Sequence, residues 1–168
     1  MTSRPSDETS AATEPPPGSQ RSAYRRFPRV GVTGHSGSCR VGWPSIGQEL
    51  RAQLAAHPES SGGPVVLAVD TYPGVADDTA DRLAREVRAD HLVLAADAFA
   101  PPDAIAELVA PDVTEDPVFG RVSGLRLSDF LLATAVDRLR REVTSVGGGL
   151  VLVYGTGAAL LCDPDLLV

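Results

Sequence analysis

Short runs of apolar residues recur along this chain, separated by longer stretches whose apolar positions follow helical spacing. The run Val65–Val69 is rich in valine, is too short for a buried helix, and lies between Gly62–Pro64 and Pro73–Gly74. Such runs are typical of strands that are buried in a parallel sheet. The apolar runs predict strands over Phe27–Thr33, Val65–Val69, His91–Ala96 and Leu150–Tyr154, and Leu166–Val168 begins another run.

The stretches between these runs predict four helices. Ile46, Leu50 and Leu54 repeat at i, i+4 and i+8, so they share one buried face. The alternation of strands and helices predicts an α/β fold, a three-layer sandwich with a mostly parallel sheet of the P-loop-kinase or Rossmann type. The predicted helices cover Pro44–His57, Ala76–Ala89, Pro102–Ala110 and Ser128–Val143, with Ser128 as the cap of the last and Leu132, Val136, Leu139 and Val143 on its core face.

The amino-terminal segment Met1–Ser22 is rich in Ser, Thr, Pro, Ala and Glu and has no periodicity. It cannot bury enough apolar surface to offset its ordering entropy, so we predict a disordered tail. Residues 23–168 are then one α/β domain, long enough for a substantial core. Since Leu166–Val168 resembles the opening of a strand that continues, we expect the chain to be truncated.

The composition narrows the classes of partner. The formal charge of −7 argues against a nucleic-acid binder. No apolar run is long enough to span a membrane and no signal peptide is evident, so we expect a cytoplasmic protein. Cys39 and Cys162 match no metal spacing, so the sequence predicts no cofactor. The fifteen basic residues are all arginine, and the chain has no lysine.

The first candidate for ligand chemistry is Asp70, which follows a predicted central strand and precedes Thr71, Tyr72 and a Pro-Gly turn. Ligands bind beyond the carboxyl ends of strands in open α/β sheets, so Asp70 and Tyr72 are candidate ligand contacts. The alternative is that the Asp70 carboxylate caps a turn or helix.

The second candidate is the glycine-rich loop Gly34–Gly42, where a phosphate-binding loop would lie. A competent loop needs Gly-Lys-Ser/Thr at its end. Read from Gly34, those positions hold Cys39, Arg40 and Val41; read from Gly37, Trp43 and Pro44 replace the lysine and the hydroxyl. We therefore predict a degenerate phosphate loop that retains anion binding through backbone N–H groups and Arg40. Its candidate contacts are Gly34, Ser36, Gly37, Ser38 and Arg40.

A third candidate is the turn Gly155–Thr156–Gly157, which follows a strand. It lacks the third glycine of a dinucleotide fingerprint, because Leu160 stands there, so a tight turn is the better interpretation. The long loop Pro111–Arg126 also contributes Arg121 as a candidate charge. We expect the loops at Gly34–Gly42, Asp70–Gly74 and Gly155–Gly157 to meet in one crevice. There Asp70 either accepts a hydrogen bond from the ligand or pairs with Arg121.

Three segments together resemble the amino-terminal domain of long class I mannose-6-phosphate isomerases: Asp70–Gly74 (DTYPG), Thr114–Arg121 (TEDPVFGR) and Val153–Ala158 (VYGTGA), with Gly42–Trp43 before a helix. In that family the α/β domain precedes a cupin domain that holds zinc and isomerises the sugar. The glycine loop and Asp70 also resemble uridine-kinase-like nucleoside kinases. The cupin and its ligands are missing from this sequence, so the resemblance carries over no catalytic residue.

The resemblance implies an accessory domain that binds a phosphosugar or a nucleotide and that works with a cupin domain in cis or in trans. Two alternatives stay open, a small-molecule kinase and a pure interaction or packing module. The sequence predicts neither a nucleic-acid partner nor a membrane partner.

Overall fold

The computed structural model of this protein describes residues 33–34, 37–56, 63–76, 78–116 and 118–168. The chain divides into two units, Met1–Ser38 and Cys39–Val168. The predicted tail and almost all of the predicted strand Phe27–Thr33 lie outside the described residues, and Thr33 itself lies in a turn. The fold described below is that of the Cys39–Val168 unit.

A parallel sheet forms the centre of this unit. Its four strands in the described residues are β1 (Val65–Val69), β2 (His91–Leu94), β3 (Leu150–Tyr154) and β4 (Leu166–Leu167). Their order across the sheet is β2-β3-β1-β4, and all neighbouring pairs are parallel. Leu67 lies opposite Leu152 on one side and Leu166 on the other. The predicted α/β fold with a parallel sheet is confirmed.

The described part of the chain contains four α-helices around the sheet: α1 (Trp43–Ala56), α2 (Thr79–Val87), α3 (Pro102–Val109) and α4 (Ala133–Ser145). Short 3₁₀ turns cover 95–98, 110–112, 127–130 and 158–160. Among the described residues, the structure contains no helix of the length and apolarity that crossing a bilayer requires.

The two faces of the sheet are covered by different helices, as the alternation of side chains along a strand requires. On one face, Leu67 and Leu152 pack with residues of α1 and α2, including Leu50 and Leu83. The core on the opposite face joins Val66, Ala68, Val151 and Val153 to Leu139 and Val143 of α4. The layers are therefore helix, sheet and helix.

The connections explain where a crevice opens. From β1 to β2 the chain passes through α2 on one face and steps past β3. From β2 back to β3 it passes through α4 on the opposite face. Crossovers between parallel strands are right-handed, so a chain that reverses its direction across the sheet must change face. After β3 the chain stays on the α4 face, where Ala158 and Leu161 are buried. The neighbours β1 and β3 thus lead to opposite faces, the arrangement that opens a crevice at their carboxyl ends.

The helices α1 and α2 make a very close contact through a glycine. A Cβ atom placed on Gly47 of α1 would lie 2.8 Å from the Cβ of Glu86 and 2.9 Å from its carbonyl oxygen. Arg51 donates a hydrogen bond to the same carbonyl. The Arg82 guanidinium lies 5.0 Å from the centre of the Trp43 ring, within reach of a cation–π interaction. Gly47 is therefore a packing residue.

The predicted start of the last helix, at Ser128, is wrong. Ser128 does not cap a helix to Val143: residues 127–130 form a 3₁₀ turn, and α4 begins only at Ala133. The cause is tertiary, because Leu131 makes an antiparallel bridge with Phe99 and the Leu132 N–H donates to the Ala98 carbonyl. That pairing needs extended backbone just where the sequence pattern predicts helix. Leu132, predicted to face the core, is 43% exposed.

Other boundaries also differ from the prediction by two or three residues, as two examples show. The helix expected from Ala76 begins at Thr79, and the strand expected to reach Ala96 ends at Leu94. Ala95 is buried at the start of a 3₁₀ turn, which explains why its apolar character extends the strand pattern.

Substituting Gly47 by alanine should destabilise the protein by about 1–3 kcal/mol, because the methyl group would overlap Glu86. Helix propensity alone would make the alanine variant more stable, by about 1 kcal/mol in the free energy of unfolding. Urea unfolding measures the difference. Gly124→Ala is the control, since nothing lies within 4 Å of a Cβ there. A Gly47→Ala protein as stable as the wild type would show that the two helices separate without cost.

Candidate functional site

Asp70 follows β1 at the carboxyl edge of the sheet, and its carboxylate joins two loops. Oδ1 accepts a hydrogen bond from the Gly157 N–H at 2.9 Å, and Oδ2 accepts one from the Ala159 N–H at 3.4 Å. These N–H groups lie at the start of the 3₁₀ turn 158–160, which follows β3. Asp70 thus acts as a cap, and the turn it caps is a distant one across the sheet.

Gly155 completes this link between β1 and β3. Its N–H donates to the Val69 carbonyl at 3.1 Å, and its own carbonyl accepts from the Thr71 N–H at 3.4 Å. Its φ of +123° is one that residues with a side chain rarely adopt, and a Cβ there would lie 3.3 Å from the Cβ of Ala95. Gly157 also has a positive φ, of +85°. The Gly-Thr-Gly segment is a tight turn, as predicted.

A cavity of about 670 Å³ opens beside this turn, where the loops that follow β1, β2 and β3 meet. Its size lies within the range of small-molecule sites. Residues 71–76 line one side and 154–156 another, so the structure brings Tyr72 and the Gly155–Thr156 turn together. The remaining lining residues are Ala80, Leu94, Ala96, Phe99, Leu127 and Phe130.

The described residues that line this cavity carry no charged side chain. Four of them are aromatic: Tyr72, Phe99, Phe130 and Tyr154. Tyr72 is 75% exposed, whereas Tyr154 is 9% exposed. The cavity is therefore mainly apolar, and its polar groups come from tyrosine, threonine and the backbone.

Tyr154 carries the unusual group of the site. Its ring belongs to the buried cluster under α1 and α2, and its hydroxyl oxygen is buried without a hydrogen-bond partner among the described residues. A buried polar group without a partner is costly and uncommon. Tyr154 also lines the cavity, so this unpartnered donor belongs to a residue that a ligand in the cavity would contact.

The two candidate arginines do not line this cavity. Arg40 forms an ion pair with Glu49 of α1, with 2.8 Å between Nη2 and Oε2. The pKa of Glu49 lies below its ordinary value. The main cause is a hydrogen bond from Gln53, and the second is the interaction with Arg40. Arg121 is exposed and donates its backbone N–H to the Asp112 carbonyl at 2.8 Å. Within the described ranges, an Asp70–Arg121 ion pair is not formed.

The other candidates of the glycine-rich loop are not part of the described Cys39–Val168 unit. Gly34, Gly37 and Ser38 belong to the Met1–Ser38 unit, and Ser36 lies outside the described residues. Gly34 and Gly37 both have a φ of +81°, which favours glycine. Their role in anion binding stays a prediction.

The loop motif Thr114–Arg121 has a structural explanation in its own hydrogen bonds. Oδ1 of Asp116 accepts from the Val118 and Phe119 N–H groups at 2.8 and 3.0 Å. The Thr114 hydroxyl donates to the Phe119 carbonyl. A Cβ on Gly120 would lie 2.9 Å from the Asp112 carbonyl oxygen. The loop is therefore braced locally, and it presents Phe119 to solvent at 72% exposure.

The aromatic lining is what sequence reasoning missed. Phe99 and Phe130 were not among the candidates from the sequence, and Phe130 falls in a predicted helix. Phe99 carried a usable signal, since it lies just beyond the carboxyl end of a predicted parallel strand. Phe130 reaches the cavity through the non-local Phe99–Leu131 bridge, which no local pattern reveals.

Asp70→Ala should destabilise the protein by about 1–3 kcal/mol, because two N–H groups lose their acceptor. Amide hydrogen exchange at Gly157 and Ala159 should become faster, and it measures the effect at the site itself. Asp97→Ala is a matched control, an exposed acid that follows β2. Unchanged exchange at both amides would contradict the capping role of Asp70.

Acid should release the Thr114–Arg121 loop. The backbone hydrogen bonds from Val118 and Phe119 hold the pKa of Asp116 below its ordinary value. A lowered carboxyl pKa means that the brace is present at neutral pH and is lost as the pH falls through that pKa, in the acid range below the ordinary carboxyl pKa. An NMR titration should show the Val118 and Phe119 amide shifts moving in this range. Asp116→Asn should abolish the movement, and a wild-type loop whose amides stay fixed in acid would refute the brace.

Comparison with known proteins gives one finding. No curated protein and no solved structure matches the chain. The model of the family described as Domain of unknown function (DUF8485) matches residues 42–168, which is most of the α/β unit. The chain belongs to the DUF8485 family.

Proposed function

We propose that the Cys39–Val168 unit is a binding domain for a small organic ligand, which occupies the cavity at the carboxyl edge of the sheet. The observation that carries this proposal is the position of the cavity. It lies where β1 and β3 lead to opposite faces, which is where open α/β sheets bind their ligands.

The hydrogen bonds that hold the chain after β1 and after β3 support the proposal. Asp70 fixes the turn after β3 through the Gly157 N–H, and Gly155 fixes the end of β1 through Val69 and Thr71. A preformed site does not have to order its loops when the ligand binds, so less of the binding free energy is lost.

The ligand classes implied by the resemblance are phosphosugars and nucleotides, and both remain candidates. Descent from the mannose-6-phosphate isomerase family, with a cupin domain in cis or in trans, also stays a prediction, since the DUF8485 match names no such link. The two alternative functions, a small-molecule kinase and a pure interaction or packing module, also stay predictions.

NMR titrations of the chain with mannose 6-phosphate, fructose 6-phosphate, uridine and ATP test the proposal. At least one of these should shift the amides of Thr71–Ala76 and Gly155–Thr156. Ala96→Trp should weaken that binding at least tenfold, because an indole ring would fill the cavity that the exposed Ala96 lines. Ala104→Trp places the same ring on exposed α3 outside the cavity lining, so it should bind as the wild type does.

Two outcomes would contradict the proposal. One is a shift pattern that lies elsewhere on the protein for every ligand that binds. The other is equal binding by Ala96→Trp and the wild type, since a ligand in the cavity must compete with the introduced ring.

A further inference from the structure

We infer that the ligand of this cavity is an uncharged planar heteroaromatic ring, of the nucleobase kind, that accepts a hydrogen bond from the Tyr154 hydroxyl. The inference rests on the proposed binding function, and it chooses a ligand class for it. Three properties of the lining lead to this choice: its charge, its aromatic content and the buried hydroxyl of Tyr154, which has no partner among the described residues.

The lack of charge in the lining disfavours a ligand whose phosphate enters the cavity. The described lining residues bear no cationic side chain, and Arg40 and Arg121 are not among them. An anion that leaves water for such a surface loses its hydration without gaining an opposite charge. The part of the ligand that fills the cavity is therefore neutral.

The aromatic residues favour a flat ring over a sugar. Tyr72, Phe99, Phe130 and Tyr154 all line the cavity, among aliphatic neighbours such as Leu94. Aromatic rings pack against other rings in offset or edge-to-face arrangements and gain more than burial alone provides. A hexose covered in hydroxyl groups would leave most of those hydroxyls without partners on this surface.

The Tyr154 hydroxyl sets the polar requirement. It is buried and has no partner within the described part of the chain, although the residue lies in a well-packed cluster. Tyr154 ends β3, opposite Val69 of β1 and Leu94 of β2, so its position is fixed by two strand pairings. A ring nitrogen or carbonyl group that accepts from this hydroxyl removes the cost of the unpartnered donor. A site of this kind discriminates against an analogue that lacks the acceptor.

The test uses indole and 7-azaindole, two uncharged bicyclic rings that differ by one ring nitrogen. Dissociation constants for both come from NMR titration of the wild type and of Tyr154→Phe. The preference for 7-azaindole relative to indole should fall about three- to tenfold in Tyr154→Phe, which is the ratio that one hydrogen bond supplies. Both rings should shift the amides of Thr71–Ala76, and Ala96→Trp should weaken both.

The variant is suited to this test because phenylalanine keeps the ring and its packing. Tyr154→Phe should unfold at the same or a higher urea concentration than the wild type, since it removes a buried group without a partner. A marked loss of stability would mean that the hydroxyl already has a partner, and it would overturn the inference.

The remaining outcomes separate the inference from the function on which it rests. An unchanged preference in Tyr154→Phe overturns the role of the hydroxyl. If mannose 6-phosphate shifts the cavity amides and neither ring does, the domain binds a ligand there and the ligand class is wrong. If no probe shifts these amides, including the phosphosugars and nucleotides above, the binding function and the inference both fail.

Discussion

The parallel pairing of β1 with β3 is the interaction on which the rest of the unit depends. Val66, Leu67 and Ala68 of β1 face their β3 partners along an unbroken register, from Val65 opposite Leu150 to Val69 opposite Tyr154. Both strands are buried on both faces, and α1, α2 and α4 contribute to the two cores that cover this pair. The cavity at the carboxyl edge exists because the two strands end level with each other and then diverge to opposite faces.

Aspartates hold the ends of this pair. At the amino edge, Asp165 accepts from the Val66 N–H at 2.7 Å and Asp90 accepts from the Leu150 N–H at 2.8 Å. At the carboxyl edge, Asp70 accepts from the turn that follows β3. Each carboxylate replaces a backbone acceptor where the strand ladder ends, which is where strands otherwise fray. The sheet is thereby given fixed ends as well as a packed centre.

The strands and most helix faces could be predicted from the sequence because both depend on local apolar spacing. Val65–Val69 and Leu150–Tyr154 have the predicted bounds, and Leu50 and Leu54 are buried as their spacing indicates. Asp70 could be placed at a strand end, but its partners in the Gly157 turn could not be known without the strand order. The prediction that Ser128 caps a helix is wrong for a related reason. The Phe99–Leu131 bridge, which displaces the helix start, joins residues far apart in sequence.

Some residues around the cavity hold the backbone in place, and others only shape the cavity wall. This difference affects how the ligand selectivity of the cavity can change. Gly155 cannot accept a side chain, because its φ of +123° and the nearby Ala95 both oppose one. Phe99, Leu127 and Phe130 contribute side chains to the cavity from outside the strand ladder. Substitutions at these three positions can alter the shape of the cavity while the β1–β3 frame stays intact. Selectivity can therefore be varied, by natural drift or by directed evolution, largely independently of foldability.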